Sequence, residues 1–163
     1  MAGSNPSREL ILRTLSGAVI VLGIIGGIYL GGTAWLCVVA TLALISQGEY
    51  YRLLGKRLRL SRGIGYICSL AVLLSAVEGS RPVSIALILS LSTYAIFMVE
   101  ILRRQTTGQS FVVGNVGGTM SGVLFIVMPW TCILLLRSLP TGNLVLVSLF
   151  ASTWGCDVMA YLI

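Results

Sequence analysis

Six long apolar runs, separated by short polar or basic segments, constrain the fold of this chain more than any other feature. The runs cover about residues 10–30, 34–50, 64–77, 83–102, 116–136 and 143–163. About 20 consecutive apolar residues, folded as a helix, cross the hydrocarbon core of a bilayer. Only 10% of the 163 residues are charged and the mean hydropathy is +0.98, whereas soluble domains carry about 25% charged residues. The sequence therefore predicts an all-α, polytopic integral membrane protein with about six transmembrane helices.

Glycines and prolines mark the predicted boundaries of these helices. Residues 1–9 form a short polar lead, and residues 10–163 form the transmembrane region. A tight turn is predicted at Gly31-Gly32, after the first helix. Pro82 and Pro140 lie between runs. Pro129 lies inside the fifth run, where it is predicted to kink the helix.

The basic residues predict the orientation of the chain in the membrane. Alternate connecting segments hold nine of the eleven basic residues, and the other segments hold the remaining two. The positive-inside rule then places the N-terminus in the cytoplasm, and six spans return the C-terminus there. The net charge of +6 predicts contact with anionic headgroups rather than nucleic acid, because the basic residues lie between apolar runs. The majority set is Arg8, Arg13, Arg52, Lys56, Arg57, Arg59, Arg62, Arg103 and Arg104, and the minority set is Arg81 and Arg137.

The residue types exclude several kinds of catalytic chemistry. The chain contains no histidine, which removes Ser-His-Asp catalysis and histidine-bound metal. The four cysteines lie in apolar stretches without CxxC spacing, so a metal site or disulfide framework is not indicated. They are interpreted as small buried packing residues.

Asp157 is the candidate functional residue that the sequence singles out. A carboxylate inside an apolar run is costly and is by default interpreted as a functional site. A helix over residues 143–163 rises about 31 Å, which places Asp157 about 9 Å from its cytoplasmic end. Phe150, Trp154, Asp157 and Tyr161 share one helix face, which predicts a polar pocket open to the cytoplasm. The alternative is a structural carboxylate paired with an arginine or a hydroxyl on a neighbouring helix.

Two other acids lie near the predicted cytoplasmic ends of helices. Glu49 precedes Arg52 by three residues, and Glu100 precedes Arg103 and Arg104 by three and four. These spacings favour ordinary ion pairs at the membrane interface. Both acids are therefore interpreted as structural.

Glycines recur at intervals of four residues in two of the runs. Such rows allow helix backbones to approach closely in a membrane. A phosphate-binding loop is the alternative, but the chain has no GxxxxGK[ST] motif. Helix packing is therefore the predicted role of the two rows, which are Gly23, Gly27 and Gly31, and Gly114, Gly118 and Gly122.

Three stretches carry a resemblance to the phosphatidate cytidylyltransferase (CDP-diacylglycerol synthase) family. They are "RTLSGAVIV" near the N-terminus, "GEYYRLLGK" at the end of the second run, and "WGCDVMAY" in the last run. The third stretch is similar to the family pattern W-x-x-D-x-x-A-Y. The chain departs from that pattern after the aspartate, where Val158 and Met159 replace a Ser or Thr and a Gly or Ala.

The resemblance implies transfer of a cytidylyl group from CTP to phosphatidic acid, which gives CDP-diacylglycerol and pyrophosphate. It implies Asp157 as catalytic residue, Trp154 and Tyr161 as substrate-binding residues, and Mg²⁺ or another divalent cation as cofactor. The implied setting is a bacterial inner (cell) membrane, among membrane lipids, with the active site facing the cytoplasm and a homodimer possible. The family's metal-binding aspartates belong to a C-terminal signature that this sequence does not include. The 163-residue piece is therefore expected to be an N-terminal portion that is inactive alone, and its own metal ligands remain unassigned.

Two alternatives from other functional classes stay open at this point. In a transporter or channel fragment, Asp157 would be an intramembrane proton or cation site. That class predicts inverted repeats or paired broken helices, and the sequence contains no convincing repeat. In a purely structural membrane subunit, Asp157 would have no chemical role.

Overall fold

The predicted apolar runs all form helices. The computed structural model describes residues 6–77, 82–108 and 111–162, and no strand occurs among them. The all-α fold of a membrane protein, predicted from the apolar runs, is thereby confirmed. The helices are α1 (Pro6–Leu30), α2 (Gly32–Leu54), α3 (Arg62–Val77), α4 (Pro82–Thr107), α5 (Val112–Ser121), a π-helical segment (Gly122–Val127), α6 (Met128–Arg137) and α7 (Gly142–Leu162).

Three helical stretches in the described part of the chain are long and apolar enough to cross a membrane. They are Val83–Thr107, Val112–Arg137 and Gly142–Ala160. The second of these includes α5, the π-helical segment and α6 as one continuous column. Gly17–Leu30 and Arg62–Val77 are shorter apolar helices. The number of helices that cross the bilayer and their orientation in it stay predictions.

The helix boundaries follow the predicted glycine and proline positions. Gly31 and Gly32 separate α1 from α2 with φ angles of 67° and 50°, which only glycine adopts without strain. Pro82 is the first residue of α4, and Pro140 lies in the turn between α6 and α7. Helix α1 begins at Pro6, four residues earlier than predicted. Residues 1–5 of the predicted polar lead lie outside the described residues.

The chain accommodates Pro129 through a widened helical segment. Pro129 has no N–H to donate, and its ring would clash with the carbonyl four residues earlier in a regular α-helix. The π-helical segment ends two residues before it, and the N–H of Met128 donates to the carbonyl of Val123, five residues back. The structure therefore has a π-helical segment just before the residue at which a kink was predicted.

The column formed by α5, the π-helical segment and α6 lies at the centre of the packing. It contacts α2, α3, α4 and α7, whereas α7 packs chiefly against α6 and α1. The largest apolar core lies among α1, α2, α3, the end of the π-helical segment, α6 and α7. Its buried members are Ile24, Ile28, Trp35, Val39, Ala43, Leu73, Ala76, Val127, Leu134 and Leu146.

Arg137 joins the end of α6 to the end of α1. Its Nε and Nη2 donate to the carbonyl oxygen of Ile28 at 3.1 and 2.8 Å. A last-turn carbonyl lacks a helical partner, so the guanidinium satisfies it. A side chain at Gly31 would overlap this guanidinium. Gly31 is thus required both by its positive φ and by the space that Arg137 occupies.

The rows of glycines predicted to bring helices together have mixed surroundings. Gly27 lies against the side chains of Trp35 and Val38, as predicted for helix packing, but the space around Gly23 is open. In the second row, Gly118 lies under leucine side chains from the segment between α2 and α3, and Gly122 lies against the ring of Tyr51. The second row therefore receives side chains rather than a neighbouring helix backbone.

The interpretation of the cysteines as buried packing residues holds for one of the four. Cys68 is buried in α3, where it packs with Val72 and Val123. Cys37, Cys132 and Cys156 are exposed on the outer surface of apolar helices. An apolar run in a membrane protein contains lipid-facing positions as well as core positions, so apolar context does not predict burial.

Candidate functional site

The predicted site residues of α7 have two different environments. Phe150 and Trp154 pack against the largest apolar core, and their ring centroids lie 5.6 Å apart. Asp157, one turn further along, is exposed. It makes no hydrogen bond or ion pair with the described residues. The side chain of Tyr161 lies outside the described part, so its predicted role stays a prediction.

The described structure leaves most of α7 uncovered. Gly142 and Leu146 are the buried positions among residues 142–160. The surroundings of Gly155 are open, since apart from its chain neighbours and its own helix backbone no described atom would lie within 4 Å of a Cβ at this position. The structural alternative for Asp157, a buried ion pair with a neighbouring helix, is not present among the described residues. Its assignment as the catalytic residue remains a prediction.

A second group of polar residues, which the sequence did not single out as a site, is buried at the end of α4. Glu100 has no exposed surface. One carboxylate oxygen pairs with Nη1 of Arg103, and the other accepts a hydrogen bond from Nδ2 of Asn115 at 2.9 Å. These three residues form the Glu100 cluster. The pair with Arg103 was predicted and is present, whereas the burial of the carboxylate by α5 and by the segment between α2 and α3 was not predicted. The position of the pair at the membrane interface stays a prediction.

The Glu100 cluster binds the backbone of the basic loop, which is the segment of residues 55–61 between α2 and α3. Oδ1 of Asn115 accepts from the N–H of Arg59 at 2.9 Å. Nη1 of Arg103 donates to the carbonyl oxygen of Arg59 at 2.7 Å. Both backbone polar groups of Arg59 are thus satisfied by the cluster, which fixes this point of the loop against α4 and α5.

Thr119 makes the next contact along α5. Its Oγ1 accepts from the N–H of Ser61 at 3.1 Å and donates to the carbonyl of Asn115 at 2.7 Å. Asn115 and Thr119 are four residues apart and share a helix face. Arg59 and Ser61 are two residues apart and present their N–H groups to the same side of an extended segment. The separation of Asn115 and Thr119 along the helix matches the separation of Arg59 and Ser61 along the segment. The two hydrogen bonds therefore form side by side.

A buried tyrosine connects this region to the middle of the protein. The Tyr51 hydroxyl donates to the carbonyl oxygen of Thr119 at 2.7 Å and accepts from Nε2 of Gln47 at 3.0 Å. Its ring lies against Gly65 and Gly122, where any side chain would overlap it. This tyrosine therefore fastens α2 to the start of the π-helical segment.

Sequence reasoning missed this buried network for an identifiable reason. Asn115 and Thr119 do share a helix face, and Gly114 and Gly118 lie beside them, which is a recognisable signal of a polar contact. Their partners lie 56 and 58 residues away in the chain. No local periodicity relates positions at that separation.

Comparison with known proteins gives the class of this molecule. The chain matches the model of the cytidylyltransferase family over residues 11–163. The chain belongs to the cytidylyltransferase family. Neither the curated proteins nor the solved structures contain a match.

Membership of the cytidylyltransferase family confirms the resemblance found in the sequence. The family match includes α1 from residue 11 onward and all the helices from α2 to α7, and hence Trp154 and Asp157. It supports a nucleotidyltransferase that uses CTP. The described ranges of this cytidylyltransferase contain no group of three or more His, Cys, Asp or Glu side chains that could hold a metal ion. The described side chains therefore do not by themselves assemble a metal site.

Proposed function

We propose that this protein is a CTP:phosphatidate cytidylyltransferase, which makes CDP-diacylglycerol and pyrophosphate. The observation that carries the proposal is that a member of the cytidylyltransferase family is built from apolar helices long enough to cross a membrane. CTP is water-soluble and does not require such a fold. An acceptor that resides in the bilayer does, and a lipid with a terminal phosphate is the acceptor whose cytidylylation gives a diphosphate.

The proposed reaction joins two phosphates. An oxygen of the lipid phosphate attacks the α-phosphorus of CTP, a new P–O bond forms, and the bond to the β-phosphate oxygen breaks, releasing pyrophosphate. Both reactants are anions, so positive charge is needed to bring them together and to stabilise the transition state. The predicted orientation supplies that charge at the cytoplasmic face, where CTP and the lipid headgroup meet.

Asp157 is the proposed catalytic residue, and Trp154 and Tyr161 are the proposed substrate-binding residues. The proposal is supported by the exposure of Asp157 on α7, where the described side chains leave its carboxylate available to orient water or a cationic group. The aromatic pair of Phe150 and Trp154 packs one turn away and fixes that part of the helix against the core.

A divalent cation is proposed as cofactor from the family resemblance. Its usual chemistry in such a reaction would be to neutralise phosphate charge. Asp157 is a single oxygen ligand, and the described residues add no cluster to it. The described part of the chain therefore does not fit a complete metal site.

The proposal is tested by measuring transfer of label from CTP to lipid. The natural reading frame that contains this chain is expressed in membranes, which are supplied with CTP labelled at the α-phosphate and with phosphatidate. The expected result is a labelled lipid and pyrophosphate. Diacylglycerol, which lacks the phosphate, is the matched control acceptor and is expected to remain unlabelled. Transfer to a water-soluble phosphate instead, with none to phosphatidate, would overturn the lipid substrate.

The predicted orientation has its own test. Reporter fusions after Arg59 and after Arg104 are expected to be cytoplasmic, and a fusion after Arg81 is expected on the opposite side. Reporter activity in each fusion gives the answer. The reverse pattern would place the basic loop and the proposed site away from CTP.

A further inference from the structure

The basic loop presents positive side chains from a fixed backbone. Lys56, Arg57 and Arg59 are exposed, and Arg62, the first residue of α3, is exposed beside them. In the described ranges, the ion pairs are Arg52 with Glu49 and Arg103 with Glu100. The four cations of the loop and of the start of α3 therefore have no acidic partner among the described residues.

The positive-inside rule accounts for basic residues in this loop but not for its fixation. A loop that only orients helices would need no buried contacts to its backbone. Here the carbonyl and the N–H of Arg59 and the N–H of Ser61 are all bonded to side chains of α4 and α5. The carboxylate of Glu100, buried at a cost in desolvation, positions two of those side chains.

The packing of the loop decides which way its charges point. A side chain at Gly118 would lie 2.8 Å from Leu60 and 2.9 Å from Leu58, so both leucines lie directly on α5. Successive side chains of an extended segment point to opposite sides. Arg59 lies between these two leucines and therefore projects away from α5, and Arg57 is exposed in the turn that precedes them.

A buried hydroxyl lies at the same place. Ser61 is 8% exposed, and its Oγ has no hydrogen-bond partner among the described residues. It immediately precedes α3, whose first N–H groups lack helical acceptors and carry the positive end of the helix dipole. A fixed set of cations, a hydroxyl without a partner and a helix N-terminus are together the components of a phosphate-binding site.

We infer that the basic loop and the start of α3 form a preorganised binding site for a phosphate-bearing anion. Lys56, Arg57, Arg59 and Arg62 supply charge, and Ser61 and the first turn of α3 supply hydrogen-bond donors. Glu100, Arg103, Asn115 and Thr119 are positioning residues that fix the loop. The phosphate belongs either to CTP or to an anionic lipid headgroup. The naming of CTP rests on the proposed function, whereas phosphate binding itself does not.

Binding measurements on the full natural protein in detergent micelles test the inference without turnover. The double variant Arg57→Gln, Arg59→Gln is compared with the control Arg52→Gln, Arg104→Gln, which removes the same charge from exposed helix ends outside the site. The probes are labelled CTP and short-chain phosphatidate. The loop variant is expected to weaken one or both probes by about tenfold, and the control by less than about twofold.

The two probes separate the sources of the phosphate. Loss of CTP binding alone identifies a nucleotide site, and loss of phosphatidate binding alone identifies a headgroup site. Loss of both identifies a site that accepts either phosphate. Unchanged binding of both probes, or equal losses in the loop variant and the control, would overturn the inference. A failure of catalysis with phosphatidate would leave these binding results valid, so the two proposals can fail separately.

A second variant distinguishes a preorganised site from general attraction between charges. Thr119→Val keeps the shape of the side chain and all the positive charges, but it removes the acceptor for the N–H of Ser61. Preorganisation predicts weaker binding of the same probe. The loss of one buried hydrogen bond should also lower the thermal midpoint modestly, so binding is measured at a temperature at which both proteins are folded. Binding equal to that of the parent protein would show that the loop charges act without the fixed backbone, and would overturn the positioning roles.

Discussion

Glu100 and Asp157 both lie in apolar helices, but their carboxylates have opposite surroundings. Glu100 is fully buried and bonded to Arg103 and Asn115. Asp157 is exposed and has no hydrogen bond or ion pair in the described part of the chain. Its helix is also less covered, since 6% of an apolar 18-residue stretch of α7 is buried, against 39% of such a stretch between Val112 and Arg137.

The difference shows that a carboxylate in an apolar run has more than one use. The negative charge of Glu100 is neutralised within the protein, and its hydrogen bonds fix a neighbouring loop. The carboxylate of Asp157 makes no such contact with the described residues, and its proposed role is in the reaction. The two acids should therefore respond to substitution in different measurements, one in stability and the other in turnover.

The largest expected effect is on stability, from Glu100→Ala. Removal of one partner of a buried ion pair leaves the other uncompensated and costs about 3–5 kcal/mol. Arg103 would lose its carboxylate and Asn115 one of its acceptors. Unfolding in detergent should show this loss, and turnover should fall with it. A variant as stable as the parent protein would show that the Glu100 cluster does not support the fold.

The second-largest effect is expected for Gly122, which lies beside the buried Tyr51, in comparison with Gly155 on the exposed part of α7. A side chain at Gly122 would overlap the fully buried Tyr51 ring, and overpacking of this kind costs about 1–3 kcal/mol. Gly155 on α7 has open surroundings and is the matched control. Gly122→Ala should lower the unfolding midpoint, while Gly155→Ala should leave it unchanged or raise it, because alanine favours the helix more than glycine does. Equal midpoints for the two variants would contradict the difference in packing.

Asp157→Asn is expected to act on turnover rather than on stability. The substitution keeps the shape and removes the charge, and cytidylyl transfer should fall by about tenfold, which corresponds to about 1.4 kcal/mol in the activation barrier. The unfolding midpoint should stay within error of the parent protein, because no described contact is lost. A fall in stability instead would point to a structural partner, and full turnover would remove Asp157 from the site.

The smallest effect is expected for the exposed pair of Glu49 and Arg52. Its N···O distance is 2.7 Å, but the side chains are 57% and 71% exposed. Exposed pairs contribute no more than about 1 kcal/mol and are screened by salt. Glu49→Gln should change the unfolding midpoint only slightly, and less at high salt. A loss comparable to that of Glu100→Ala would mean that exposure does not separate the two pairs.

The sequence alone determined the helices and several of their boundaries. Apolar runs of membrane length become helices because only internal hydrogen bonds satisfy the backbone in lipid. Gly31-Gly32 and Pro82 mark boundaries through local backbone geometry. The W-x-x-D-x-x-A-Y stretch was enough to suggest the family that the comparison confirmed. All of these signals lie within one helical segment or turn.

The tertiary structure alone decided which polar groups are buried. The spacing of Glu100 and Arg103 predicts a pair but says nothing of what covers it. The cover comes from Asn115 and from the basic loop, through contacts between residues 44 to 58 positions apart. Such contacts depend on how helices pack, whereas periodicity depends only on the geometry of one helix. The sequence also showed where the helix would be irregular, at Pro129. It did not show that the irregularity is a π-helical segment.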